Sequence, residues 1–163
     1  MPHIHDKIDF TAEVFIVHKN KVLLRKHDKY KMWLSVGGHI ELDEDPNQAA
    51  VREVKEEVGL DISIAGKASE FKGPEGYREL IPPVFLNRHK ISDSHEHVSL
   101  VYFGIALDDK IIQGQGEISD DVRWFTKEEL ASPDYDLGEN IRHYAQRALE
   151  ELGGGLDIQE EYC

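Results

Sequence analysis

The alternation of apolar and polar residues along the chain predicts short strands interrupted by helices. Thr11 to Val17 (Thr-Ala-Glu-Val-Phe-Ile-Val) and Val22 to Arg25 read as two strands joined by a turn at Lys19-Asn20. Met32 to Val36 extends as a third, which Gly37-Gly38 is expected to stop. The period then changes. Asp45-Pro46 opens a helix, because proline is tolerated in the first turn where its missing N–H has no helical partner. Gly59 closes it as a C-terminal cap, so the helix spans about Pro46 to Val58. Further strands are expected at Asp61 to Ala65, around Val84 to Asn87, at His97 to Leu107 and at Asp121 to Phe125. Thr126-Lys127-Glu128-Glu129 has the pattern of a capping box and starts a short helix. Glu139 to Leu152 is a last amphipathic helix, with Ile141, Tyr144, Ala145, Ala148 and Leu152 on one side and Gly153-Gly154-Gly155 at its end. Elements mixed in this order indicate an α/β or α+β sandwich in a single domain over residues 1–163. Residues 1–8 and 153–163 read as a mobile leader and tail.

The helix after Asp45 divides its faces by charge. With Ala49 at zero and about 100° per residue, Glu53, Glu56 and Glu57 fall within one arc of roughly 100°. Ala50, Val51, Val54 and Val58 gather on another side, suited to packing on a sheet. Ala49 lies inside the acidic arc and is small, leaving room for a ligand. Arg52 sits at the edge of that arc, one turn before Glu56. Like charges three and four residues apart repel by a few tenths of a kcal/mol per pair, so something is expected to offset them. Hard divalent cations favour such oxygen-rich sites, and Mg²⁺ commonly combines a few carboxylates with substrate phosphates. A solvated acidic face with Arg52 as its ion-pair partner is the other reading the helix alone allows.

Bulk properties narrow the partners. The formal net charge is -13, which argues against a nucleic-acid polymer, since phosphate backbones are gripped by basic surfaces. A small phosphorylated ligand held through cations is still compatible. No apolar run approaches the roughly 20 residues of a membrane helix, and the start lacks a signal-like apolar core, so a cytoplasmic location is expected. The only cysteine is Cys163, which excludes an intramolecular disulfide. The nine histidines are scattered and read as surface residues.

From Gly38 to Leu60 the chain reads Gly38, five residues, Glu44, seven residues, then Arg52-Glu53-Val54-Lys55-Glu56-Glu57-Val58-Gly59-Leu60. This run resembles the Nudix box at every fixed position, including the aliphatic positions Val54 and Leu60. Val36 stands where many members have proline, which bears on loop stiffness. Trp33 and the later Val122-Arg123-Trp124-Phe125, followed by a capped helix, also look like the family's layout. The resemblance implies the Nudix fold, a mixed sheet sandwiched between helices in an α/β/α arrangement. It implies Glu53, Glu56 and Glu57 as metal ligands, joined by a backbone carbonyl of Gly37 or Gly38, with Mg²⁺ as the cofactor and Mn²⁺ as its substitute. Arg52 would hold a glutamate in place, Glu44 would support the loop, and Gly59 would be structural. The implied reaction is cleavage of a diphosphate bond in a nucleoside diphosphate linked to another moiety, or in a nucleoside triphosphate. The cations would offset the anionic oxygens, and Glu56 or Glu53 would take the proton of the attacking water. The family sometimes draws this base from elsewhere, which adds Glu96 and Glu117.

Outside the box the signals are single residues. Tyr77 lies 17 residues beyond Leu60, where dinucleoside-polyphosphate hydrolases of the family tend to carry a tyrosine. Tyr30, Trp33 and Phe71 are candidates to stack on a base, and Arg78, Arg88 and Lys90 to meet phosphates. In His95-Glu96-His97 the two histidines face one side of a strand with Glu96 opposite. His97 is the candidate for phosphate contact or proton handling, and a zinc site would need ligands that the sequence does not place nearby. The alternatives to the leading reading are a dinucleoside polyphosphate hydrolase and a non-catalytic nucleotide-sensing module of the same fold. A cysteine-dependent isomerase is disfavoured by the position of Cys163, and an EF-hand loop is absent. Members of the family are often dimers, so the resemblance leaves a homodimer open, and no interface is legible in the sequence.

Overall fold

The computed structural model describes residues 3–114, 119 and 121–154. Glu117, Cys163 and the tail from Gly155 onward lie outside them. The sheet is built on two long strands, β1 (Ile8–His18) and β7 (Glu96–Ala106), paired in parallel from Ile8↔Glu96 to Val17↔Ile105. Along its other edge β1 pairs antiparallel with β2 (Lys21–Lys26) near its end and with β4 (Val36–His39) near its start. β2 carries β3 (Trp33–Leu34) on one side and β8 (Asp121–Phe125) on the other. β7 holds β5 (Ile62–Ile64) and β6 (Phe85–Lys90), both antiparallel. One parallel pair among antiparallel ones makes the sheet mixed.

Strand alternation gives each face its own core. Ala12, Val14 and Ile16 of β1 pack with Ala49, Ala50, Val54 and Val58 of α1 (Pro46–Val58). Phe15 and Val17 turn the other way. They meet Leu130 of α2 (Lys127–Ala131) and Ile141, Ala145 and Ala148 of α3 (Glu139–Leu152). Helices thus cover both faces, giving the expected α/β/α arrangement. No helix among the described residues is long and apolar enough to cross a membrane.

The Gly59 cap and the Thr126 capping box form as expected, and another capping box closes the start of α1. Asp45 accepts from the N–H of Gln48 at 2.9 Å, and the Gln48 side chain accepts from the N–H of Asp45 at 2.9 Å. Gly59 adopts φ 72°, where glycine avoids the Cβ penalty, and its N–H returns to Lys55 O. Thr126 and Glu129 close the second capping box.

Three expectations are corrected. Gly37-Gly38 does not stop a strand. Both lie within β4, opposite Glu13 and Ala12, and a Cβ on Gly37 would fall on the carbonyl oxygen of Ala12, so glycine lets the strands close up. Residues 3–8 are no free leader: β1 begins at Ile8, and the N–H groups of Ile4 and His5 donate to the Asp9 carboxylate at 3.1 and 2.7 Å. The buried arc of α1 is turned by roughly 60° toward the acidic side of the wheel. Ala49 is fully buried in the core rather than open to a ligand, while Val51 is 43% exposed.

Candidate active site

The turned helix brings two of its three glutamates inside. Glu53 and Glu57 are 2% and 6% exposed, whereas the Glu56 side chain is 62% exposed. Burying carboxylates is costly unless cations and hydrogen bonds meet them, and two arginines do so. Arg52 acts as a hub. Its Nε and Nη2 donate to the two Glu44 oxygens at 2.9 and 2.6 Å, a bidentate grip. Nη1 donates to Glu53 Oε1 at 3.0 Å and Glu56 Oε2 at 3.1 Å, and Nη2 also donates to the carbonyl of His39 at 3.1 Å. One guanidinium therefore ties the loop, two glutamates of the helix and the end of β4 together. The Arg52 bond holds the Glu44 carboxyl below the usual glutamate range, and Glu44 in turn raises Arg52 further. Glu44 also accepts from the N–H of Glu41 at 3.0 Å, fixing the loop.

Glu57 meets a cation that sequence reasoning missed. Arg25, 7% exposed on β2, places Nε 2.8 Å from Glu57 Oε2. The available signal was a charged residue closing the apolar run Val22-Leu23-Leu24. The far end of Arg25 donates to Ser119 Oγ at 3.5 Å. A carboxylate that sequence reasoning also missed, Glu13, accepts from Ser99 Oγ at 2.7 Å and Ser35 Oγ at 3.2 Å.

Gly38 stands beside this assembly, one residue before the His39 carbonyl that Arg52 binds. Glu53 and Glu56 share Arg52 Nη1 while Glu57 turns to Arg25, so the three carboxylates lie along one side of the helix, each held by an arginine, with the β4 backbone nearby. That chemistry fits a hard divalent cation such as Mg²⁺.

Against the outer face of α1 lies a groove of about 790 Å³. Gln48, Val51, Arg52 and Glu56 form one wall, and Arg78, Glu79, Leu80 and Ile81 the other. Asn47 pins that far wall, exchanging two 2.9 Å hydrogen bonds with the backbone of Ile81. Tyr77 is 52% exposed next to Arg78, and its hydroxyl donates to Glu79 at 3.1 Å.

The remaining candidates lie elsewhere. Trp33 is 7% exposed, packed edge-on against Phe125 at 5.0 Å within the α3-side core, so its ring is committed to packing. Tyr30 and Phe71 are exposed, and Arg88 is paired with Glu96 through two bonds of 2.6 and 3.2 Å. His97 faces the other side of β7 from Glu96, as expected. Burial, together with His39 and His89 beside it, pushes its imidazole down to about 4.

A buried carboxylate–guanidinium frame on a capped helix, packed on a mixed sheet, is the architecture of the Nudix fold. The profile of the NUDIX domain matches residues 9–151, and the chain belongs to this family. Enzymes of this family are generally dependent on divalent metals. Among solved structures, a NUDIX-family hydrolase from Clostridium perfringens superposes with a TM-score of 0.78 at 34% identity, covering 88% of this chain and 97% of that one. A MutT NUDIX hydrolase from Burkholderia pseudomallei gives 0.63 at 20% identity, over 90% and 99%. Curated relatives match locally. Dihydroneopterin triphosphate diphosphatase of Haemophilus influenzae is 47% identical over 51 residues, 31% of this chain and 32% of that protein. The NAD-capped RNA hydrolase NudC of Vibrio atlanticus is 40% identical over 52 residues, 31% of this chain and 19% of that protein. The chain thus spans about a third or less of the length of these two relatives.

Proposed function

We propose that this chain is a cytoplasmic, single-domain, magnesium-dependent hydrolase of the diphosphate bond in a nucleotide-like substrate. The observation that carries the reading is the Arg52 hub. It orders Glu44, Glu53 and Glu56 and anchors β4 beside Gly38, which is the preorganisation that phosphate chemistry needs. Glu53, Glu56, Glu57 and the Gly38 carbonyl would hold the cation, and Mn²⁺ would satisfy the same donors. When bound, magnesium supplies positive charge against the diphosphate oxygens and favours ionisation of water.

The protein's own residues do the rest. Arg52 keeps the glutamates in register, and Arg25 holds Glu57 inside. Glu56, the exposed glutamate, is the group best placed to take the proton of an attacking water, ahead of Glu53. Arg78 shares the groove with Arg52 and Glu56, which supports that groove as the approach for the phosphates. Tyr77 is exposed one residue before Arg78 of the groove, and dinucleoside polyphosphates are the second substrate class. An anionic chain gripping phosphates through a cation fits small molecules better than nucleic-acid polymers.

The test is a phosphate-release screen with Mg²⁺ and with chelator. It covers nucleoside triphosphates, nucleotide sugars, ADP-ribose, diadenosine polyphosphates and dihydroneopterin triphosphate. Metal-dependent cleavage of one class identifies the substrate. Tight ligand binding without turnover would favour a nucleotide sensor instead.

A further inference from the structure

Away from the glutamates, the sheet gathers histidines that lie far apart in the chain. The parallel β1–β7 register sets Asp9 beside His97, and β4 places His39 opposite Thr11. β6 sets His89 opposite His97. The Asp9 carboxylate, fully buried, is the hub. His3 Nδ1, His39 Nε2 and His95 Nε2 each stand 3.3 Å from its Oδ2, and His5 Nδ1 stands 3.1 Å from Oδ1. The N–H groups of His5 and Ile4 donate to it at 2.7 and 3.1 Å, and imidazole nitrogens surround the rest of the carboxylate.

Proton positions sharpen the picture. The Nδ1 of His95 lies 3.1 Å from the carbonyl of Asp6. A carbonyl only accepts, so this nitrogen carries the hydrogen, and in the neutral ring Nε2 is a bare lone pair. That Nε2 is buried without a hydrogen-bond partner and faces Asp9 Oδ2 at 3.3 Å. His39 and His97 meet Nε2 to Nε2 at 3.3 Å, a hydrogen bond in which one ring donates and the other accepts. The His95 lone pair aimed at the Asp9 carboxylate is repelled unless something positive lies between them. An imidazole fixed through Nδ1 by a backbone carbonyl, with Nε2 free toward a shared centre, is how metal-ligating histidines are commonly held.

Spacing agrees. Ligand atoms of His3, Asp9, His95 and His97 all lie within 4.8 Å of one another. For metal–ligand bonds of about 2.0–2.1 Å, a tetrahedron has edges of roughly 3.3–3.4 Å. The His3–Asp9 and His95–Asp9 separations, both 3.3 Å, already match. Three imidazoles and one carboxylate suit the zinc class of borderline dications rather than magnesium, which prefers oxygen.

We propose that His3, Asp9, His95 and His97 form a structural site for one zinc-class dication, separate from the glutamate site. Four protein ligands close the coordination shell, as structural zinc sites do. The ion would staple the segment before β1 to the start of β7, about 90 residues away in sequence. His39, in contact with both Asp9 and His97, links this staple to the end of β4.

The test is zinc titration of chelator-stripped full-length protein, in competition with a chromophoric indicator. The visible spectrum of the cobalt-substituted protein reports the geometry. Wild type should bind one equivalent with a tetrahedral cobalt spectrum, and a Glu53→Gln/Glu56→Gln variant should keep it. His95→Ala should weaken binding at least about 100-fold. So should His3→Ala, whose half-exposed side chain lies outside the core and whose loss leaves the fold intact. No equimolar zinc in wild type, unchanged affinity in both histidine variants, or loss of zinc in the glutamate variant would each overturn the proposal. In that case the cluster is a proton-sharing network around Asp9.

Discussion

Arg25→Ala tests whether the buried frame of the site is also a stability element. The guanidinium Nε stands 2.8 Å from Glu57 Oε2, with side chains 8% and 5% exposed. At an effective dielectric near 20, charges this close attract by about 6 kcal/mol before desolvation is counted. What the variant loses is not that gross figure. It leaves a buried carboxylate without its guanidinium, for which about 3–5 kcal/mol is typical. For a chain of this size roughly 2–4 °C of Tm accompanies each kcal/mol, so Tm should fall by about 6–20 °C. Urea and thermal unfolding in metal-free buffer measure it. Replacing both residues by leucine removes both charges and should recover most of the loss, since buried pairs are often no better than packed hydrophobics. A loss below about 1 kcal/mol, or a double variant as unstable as Arg25→Ala, would refute the reasoning.

Other perturbations separate chemistry from packing. Glu56→Gln, at an exposed position, should lower kcat by about 10²–10⁴ while shifting unfolding free energy by no more than about 0.5 kcal/mol. Glu57→Gln should lower both turnover and Tm, because that side chain is buried against Arg25; circular dichroism melts alongside kinetics show the difference. Val54→Asp, at a fully buried core position, should cost more than about 4 kcal/mol and yield little folded protein on size-exclusion chromatography. Gly37→Ala should lower the urea midpoint markedly, since its Cβ has no space against the β1 backbone.

What was legible in the sequence was local. The box helix, the Thr126 capping box and the Gly59 cap depend on residues within a few positions of one another, and they stand where the pattern placed them. The rotation of α1 was less legible, because periodicity assumes that carboxylates avoid the core. Arg25 and Arg52 reverse that assumption by following Glu57 and Glu53 inside. Gly37-Gly38 reads as punctuation in one dimension, yet pairing with β1 makes it strand. The histidines were least legible of all. His3, Asp9, His39 and His97 meet only because of the β1–β4 and β1–β7 registers, which no short-range pattern encodes.

The most direct test of the central claim is turnover against magnesium concentration, for wild type and Glu56→Gln, on the substrate class that the screen identifies. Wild type should show saturable activation by Mg²⁺ and lose turnover with chelator, and the variant should lose at least about 100-fold at saturating metal. Turnover that survives chelation, or a Glu56→Gln protein with wild-type kcat and wild-type metal dependence, would contradict that claim.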